Sequence, residues 1–150
     1  MECESCKFTE ADKSFIFGSE YWRVFLNSDQ AYLGRSVVSA KRHCGSISEL
    51  TNEEWLDFLN VVKKMEAVFT KTFGAKMFNW TCMMNHSFRG KSANPHLRWH
   101  FRPRYNKKVK FAGQVFEDLE FGEHYSYERI RKVDDNLMRE IINKIRGNLR

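Results

Sequence analysis

Asn94-Pro95-His96-Leu97-Arg98-Trp99-His100-Phe101-Arg102-Pro103-Arg104 is the stretch whose reading decides the fold. Side chains along a strand alternate between its two faces. Read as a strand, the stretch puts His96, Arg98 and His100 on one face. Leu97, Trp99 and Phe101 fall on the other, where they can anchor it in a core. Pro95 and Pro103, the only 2 prolines of the chain, bracket it. Proline removes a ladder donor, so the strand is predicted to run between them. The product is a short rod with three nitrogen-bearing side chains in a row, suited to holding a phosphate beside a metal-braced histidine. Two histidines four apart also occur as plain polar residues of a wet face, and spacing alone leaves that reading open.

The flanking sequence supplies the setting. Alternating apolar runs predict strands over 14–18 and 21–26, joined at Gly18-Ser19-Glu20, and a third over 32–40. Gly34 marks a place within the third where another group approaches the backbone closely. After the basic break Lys41-Arg42-His43, Ser48 or Thr51 opens a helix, and Thr51 with Glu54 has capping-box spacing. Trp55, Leu56, Leu59, Val62, Met65, Ala67, Val68 and Phe69 form its predicted buried stripe, and Gly74 stops it. A fourth strand follows over 77–84, then a polar loop over 85–94 and the histidine strand as fifth. Short extended pieces are predicted at 109–111 and 114–116. A second helix over 134–146 carries Leu137, Met138, Ile141, Ile142 and Ile145 on one stripe. No repeat or linker interrupts the pattern, so the expectation is one α+β domain across residues 1–150.

Composition bounds the function. With 150 residues, 42% of them apolar and 13 of them Phe, the chain can bury a real core. No run approaches the roughly 20 apolar residues of a membrane span. The first residues are polar and acidic, unlike a secretory signal. The expectation is a cytoplasmic protein without membrane contact. A formal net charge of +6 points to an anionic partner, phosphate compound or nucleic acid. Without a basic run or low-complexity segment, a nonspecific nucleic-acid tail is disfavoured.

Four cysteines are present. In a reducing compartment the pair Cys3-x-x-Cys6 reads as a metal clip or redox pair. Cys82 lies in an apolar strand as core. Cys44 is open as a spare ligand or as filler. Zinc takes thiolate and imidazole in tetrahedral sets of four. Cys3 and Cys6 are half of such a set, or else a frayed terminus. His43 and His96, both at edges of predicted strands, are candidates for the other half, and sequence separation leaves open whether the four meet. A closed Cys2His2 zinc would be structural. It would tie the N-terminus to two strands and fix the position of Arg98 and His100.

Taken in order, these pieces resemble the histidine triad, or HIT, proteins. Cys3-x-x-Cys6 is similar to the zinc knuckle of many members. Gly34-Arg35-Ser36-Val37-Val38 with Lys41-Arg42-His43 resembles the family's strand and basic corner, and Leu50-Thr51-x-Glu53-Glu54 its helix start. His96-Leu97-Arg98-Trp99-His100-Phe101 with Pro103-Arg104-Tyr105 is similar to its alternating-histidine signature. Phe111-Ala112-Gly113, Phe116-x-Asp118 and Phe121-Gly122 resemble the branch similar to dinucleoside polyphosphate hydrolases. The resemblance spans about residues 3–125. It implies an α+β fold with an antiparallel sheet of about five strands, one long helix and a C-terminal helix. It also implies a homodimer, a structural zinc, and binding of a purine nucleotide or dinucleoside polyphosphate, hydrolysed or transferred through a covalent nucleotidyl-histidine. By position it implies that Asn27 contacts ribose, Asn85 lies near phosphate, His43 and His96 bind zinc, and His100 hydrogen-bonds the phosphate.

Two departures stand out. Arg98 occupies the place of the middle histidine, the nucleophile. A guanidinium stays protonated to above about pH 12 and has no lone pair to give. It can grip a phosphate in bidentate fashion and neutralise its charge. Phe88-Arg89-Gly90-Lys91-Ser92-Ala93-Asn94 stands where the family often has Gly-Gln-Ser/Thr, and Arg89 and Lys91 face phosphate or solvent. Three functions follow. The first is an enzyme in which water attacks directly, with His100 as acid or base and Arg98 as charge stabiliser. The second is a catalytically silent purine nucleotide-binding protein. The third is a zinc-stabilised nucleic-acid binder using Trp80, Phe88 and Trp99, although the strand periodicity of these aromatics points to a core instead.

Overall fold

The computed structural model describes residues 2–149. Its order is α1 (Glu4–Lys7), β1 (Phe15–Gly18), β2 (Trp22–Leu26), β3 (Ser36–Ala40), α2 (Asn52–Phe73), β4 (Met77–Thr81), β5 (Arg98–Arg104), β6 (Val109–Phe111), β7 (Gln114–Phe116) and α3 (Asp135–Asn148). Strands β1, β2, β3, β5 and β4 form, in that order, an antiparallel sheet of five. β6 and β7 form a separate hairpin, as the two short extended pieces suggest. The fold is α+β.

Alternation along the strands divides the sheet. Trp22, Val24, Leu26, Val38, Ala40 and Phe101 are buried on one face, against α2. α2 starts where the sequence predicts. Thr51 accepts from the Glu54 N–H while the Glu54 carboxylate accepts from the Thr51 N–H, and Gly74 closes the helix at φ 76°. The buried stripe agrees with the expected one at Met65, Val68 and Phe69 and differs from it toward the start of the helix. Phe58, Val61, Met65, Val68, Phe69 and Phe73 face the sheet, while Trp55, Leu56 and Leu59 are 38%, 64% and 47% exposed. The helix carries apolar residues on two adjoining stripes, and periodicity does not say which one the sheet takes. α3 closes the other end of the core through Leu137, Met138, Ile141, Ile142 and Ile145. Its Arg146 donates to the carbonyls of Phe15 and Ile16, covering edge strand β1.

Three further boundaries differ from expectation. β3 begins at Ser36, not near Tyr32, because the chain turns through Gly34 at φ 88°. The predicted close approach is real: a Cβ on Gly34 would sit 2.3 Å from the Phe69 ring. β4 ends at Thr81, so Cys82 lies just beyond the strand, half-buried against the core. β5 starts at Arg98, after His96, and runs through Pro103 instead of stopping before it. The Lys76 N–H donates to the Arg104 carbonyl, so Arg104 turns its polar groups toward β4. Those of Pro103 then point the opposite way, where β3 has already ended opposite Phe101. The missing N–H of Pro103 costs no ladder bond.

Arg104 is the buried pillar behind the site. Its Nε and Nη2 donate to Asp118 at 2.7 and 3.1 Å, and its remaining donors reach Asn79 and the carbonyls of Glu120 and Glu123. Both partners of the ion pair are within 1% of complete burial. The loop after β7 is thereby fastened to β5.

Candidate functional site

Cys3 caps the single turn of α1, and Cys6 lies within it. That turn brings both thiols toward the segment before β5. Cys3 and Cys6 Sγ each lie 3.4 Å from His96 Nδ1, and Cys6 Sγ lies 3.5 Å from His43 Nδ1. The two Nδ1 atoms are 3.2 Å apart, and all four donor atoms fall within 4.8 Å of one another. Bond lengths near 2.0 Å to nitrogen and 2.3 Å to sulfur place tetrahedral zinc ligands about 3.3–3.8 Å apart. The four side chains therefore have the spacing of a zinc ligand set. His96 Nε2 is 2.6 Å from the Ala40 carbonyl, so Nε2 carries the proton and the Nδ1 lone pair points inward. Burial, and then the positive groups near it, lower the His96 pKa and keep the ring in its neutral, ligating form. Cys44 is fully buried in the core and stands outside this cluster. It is filler.

Arg98, His100 and Arg102 project from β5 on the face turned away from α2, by the same alternation that buries Phe101. Arg98 and His100 are half-buried and open onto two different hollows. Arg98 lines a cavity of about 620 Å³ together with Phe8, Phe25, Asn27, Val37 and Ser39. This hollow has largely apolar walls, with Arg98 at one side and the charged Asp12, Lys13, Lys132 and Asp135 also on its lining. The buried Ser39 hydroxyl there has no partner among the described residues. Asn27 Oδ1 accepts from the Asp29 N–H at 2.8 Å.

His100 lines a second cavity of about 340 Å³ with Arg35, Asn85, Arg102, Tyr125 and Tyr127. The expected binding residues are therefore divided, Asn27 and Arg98 in the first hollow, Asn85 and His100 in the second. The two adjoin. His100 is the next residue after Arg98 on this face, about 7 Å along the strand. Val37 of the first hollow is its cross-strand neighbour. Burial, then the charges of Arg98 and Arg102, push the His100 pKa down to about 4. Its imidazole is neutral near pH 7, beside a fixed guanidinium. Neutral imidazole and charged guanidinium together can hold an anion and polarise it.

Other candidates separate. Arg89 and the exposed His86 line the second hollow, whereas Lys91 lies outside it and His124 is exposed elsewhere. Trp99 stacks on Phe58 at 4.9 Å, and Trp80 donates to Glu66, so both serve the packing of α2. Phe88 is exposed on a different element, so the three aromatics form no shared stacking surface. Arg102, Arg35, Tyr125 and Tyr127 were not among the expected site residues. Period-two alternation carries a signal for Arg102, which follows His100 on one face. The tyrosines lie in an irregular segment with no such signal.

Residues 8–107 match the HIT domain family. An uncharacterised HIT-like protein of Methanocaldococcus jannaschii is 28% identical over 144 residues, spanning 93% of this chain and 98% of that one. The fold resembles a zinc-bound histidine triad family protein from Mycobacterium smegmatis, with a TM-score of 0.62 at 18% identity over 93% of this chain and 86% of the other. It also resembles Plasmodium falciparum diadenosine triphosphate hydrolase in complex with cyclomarin A, with a TM-score of 0.61 at 15% identity over 91% of this chain and 76% of the other. The family match spans two-thirds of the chain and the α+β fold agrees with these structures, so the chain belongs to the HIT domain family.

Proposed function

We propose that the protein binds a purine nucleotide, with the nucleoside in the Arg98 hollow and the first phosphate between Arg98 and His100. One observation carries this reading. A guanidinium and a neutral imidazole stand two residues apart on one face of β5, at the seam of an apolar hollow and a basic one. Asn27 at the rim supplies an amide for a ribose hydroxyl, and Asn85 another polar group on the phosphate side. The shared fold with a diadenosine triphosphate hydrolase supports a nucleoside polyphosphate as ligand.

Turnover through a nucleotidyl-histidine has no nucleophile here, because Arg98 has no lone pair. Direct attack by water remains, with His100 taking the proton and Arg98 holding the developing charge. A base whose pKa lies near 4 accepts a proton poorly at pH 7, so this hydrolysis is slow. The reading is thus a nucleotide-binding protein with weak or no turnover. Zinc would be held by Cys3, Cys6, His43 and His96, leaving no open position, and its chemistry is structural. His96 would then fix the start of β5 and, two residues on, Arg98. A reducing, cytoplasmic setting suits the thiol pair. Calorimetry with AMP beside a product assay tests the proposal: binding without product is expected. Restoring the nucleophile by Arg98→His should raise diadenosine polyphosphate hydrolysis at least about a hundredfold. No AMP binding, or no gain in that variant, overturns it.

A further inference from the structure

The hollow beside His100 contains more positive charge than the nucleotide reading uses. Arg102 is 5% exposed, yet no carboxylate lies within ion-pair distance of it among the described residues. Its guanidinium lies over the Tyr125 ring, 3.9 Å from the centroid, with Tyr127 at 5.8 Å. Arg35 approaches from the turn before β3, and its buried Nε has no hydrogen-bond partner. Among the described residues, Asp29 is the carboxylate engaged nearby. Its Oδ2 accepts from Arg35 Nη1 at 2.8 Å, and its Oδ1 accepts from the backbone N–H groups of Arg131 and Ala31. No acidic residue lines the hollow. One carboxylate against the buried Arg102 and the half-buried Arg35 leaves an uncompensated charge, which is costly in a desolvated place unless an anion completes it. Stacking on Tyr125 offsets only part of that cost.

The roof is fixed in place. The Ser126 N–H donates to Tyr32 Oη at 2.7 Å, and the Tyr125 and Tyr127 hydroxyls lie 3.2 Å apart. The donors of the pocket are guanidinium forks and hydroxyls, which bind oxyanions, and two forks converging from different elements can engage the several oxygens of a phosphoryl group at once. A volume of about 340 Å³ lies at the small end of ligand cavities, suited to a pair of phosphoryl groups.

We infer that this hollow is a separate anion site, in which Arg102 and Arg35 grip a pyrophosphate-type group beneath the Tyr125–Tyr127 strap. Two sources share that chemistry: free pyrophosphate, and the distal phosphates of a nucleotide seated at Arg98. The second source rests on the nucleotide reading above, and the first does not.

Calorimetry on the full chain with inorganic pyrophosphate, AMP and ATP tests the site. The wild type binds pyrophosphate. Arg102→Leu weakens it by about tenfold or more and leaves AMP within about twofold. Asn27→Ala weakens AMP and leaves pyrophosphate unchanged, so the nucleotide reading fails separately from this one. An ATP affinity above that of AMP, lost in Arg102→Leu, identifies the tail of a bound nucleotide as the source. Pyrophosphate binding beside AMP, with no ATP advantage, identifies the free anion. If Arg102→Leu melts early, Arg102→Lys decides, because it keeps the charge and loses the fork: a loss of about threefold or more supports the site. Wild type that does not bind pyrophosphate, or an intact variant that binds it equally well, overturns the inference.

Discussion

His100 shows how one residue's setting fixes its chemistry. Burial and two arginines hold its pKa at about 4, against about 6.5 in an unfolded chain. As pH falls from 6.5 to 4 the unfolded chain takes the proton first, so the folded state loses stability across that window. Above it the group contributes nothing, and below it the loss is complete, at roughly 3 kcal/mol. Denaturant melts at pH 7 and pH 4.5 should therefore show a larger acid loss in the wild type than in His100→Asn. Equal losses would mean that the imidazole is not desolvated. Arg104 tests the opposite case, a buried charge that is fully paired. All its donors are used, and Asp118 is as buried as it is. Asp118→Asn should cost roughly 3–5 kcal/mol, read as a drop in melting midpoint, because it leaves a guanidinium alone in the interior.

Among the elements, the β6–β7 hairpin carries visible strain. Ala112 and Gly113 sit at φ 51° and 72°, the two-residue turn that suits strand twist and favours Asn-Gly. Ala112→Asn should raise stability by about 0.5–1 kcal/mol, and a β-branched residue there should lower it. Matched thermal melts separate the two. Elements specified by local spacing were legible in the sequence: the Thr51–Glu54 box, the Gly74 stop, the last helix, and the face shared by Arg98 and His100. What depended on a distant neighbour was not. Pro103 lies inside β5 only because β3 ends beside it. The buried stripe of α2 depends on which of two apolar rows meets the sheet. The Cys and His residues were readable as zinc-type donors, but their meeting required α1 to fold back over the segment before β5. The Arg98 and His100 pair was readable as one face, and its division between two hollows was not.

At the scale of the whole molecule, two features left open by the chain's own packing lie together. β4 is the last strand of the sheet, its outer edge unpaired among the described residues, and the exposed Trp55, Leu56 and Leu59 row lies on the helix packed over the sheet, with the Trp55 ring 6.3 Å from Trp99 and Phe58 5.7 Å from Trp80. An open edge beside an apolar helix face suits a second copy of the same chain, because two such edges can pair antiparallel while the helix rows cover each other. That is the homodimer expected from the family resemblance, and it is proposed on these grounds. Leu56→Glu with Leu59→Glu should convert a dimer to a monomer in light scattering, because each charge would be buried against its symmetry mate. The monomer should remain folded, since both side chains are solvent-facing in the single chain, and it should still bind AMP because both hollows lie on the opposite face of the sheet. A wild type of monomer mass would remove the dimer and leave the site reading intact. A double variant that loses mass and AMP binding together would show instead that the pairing shapes the pocket.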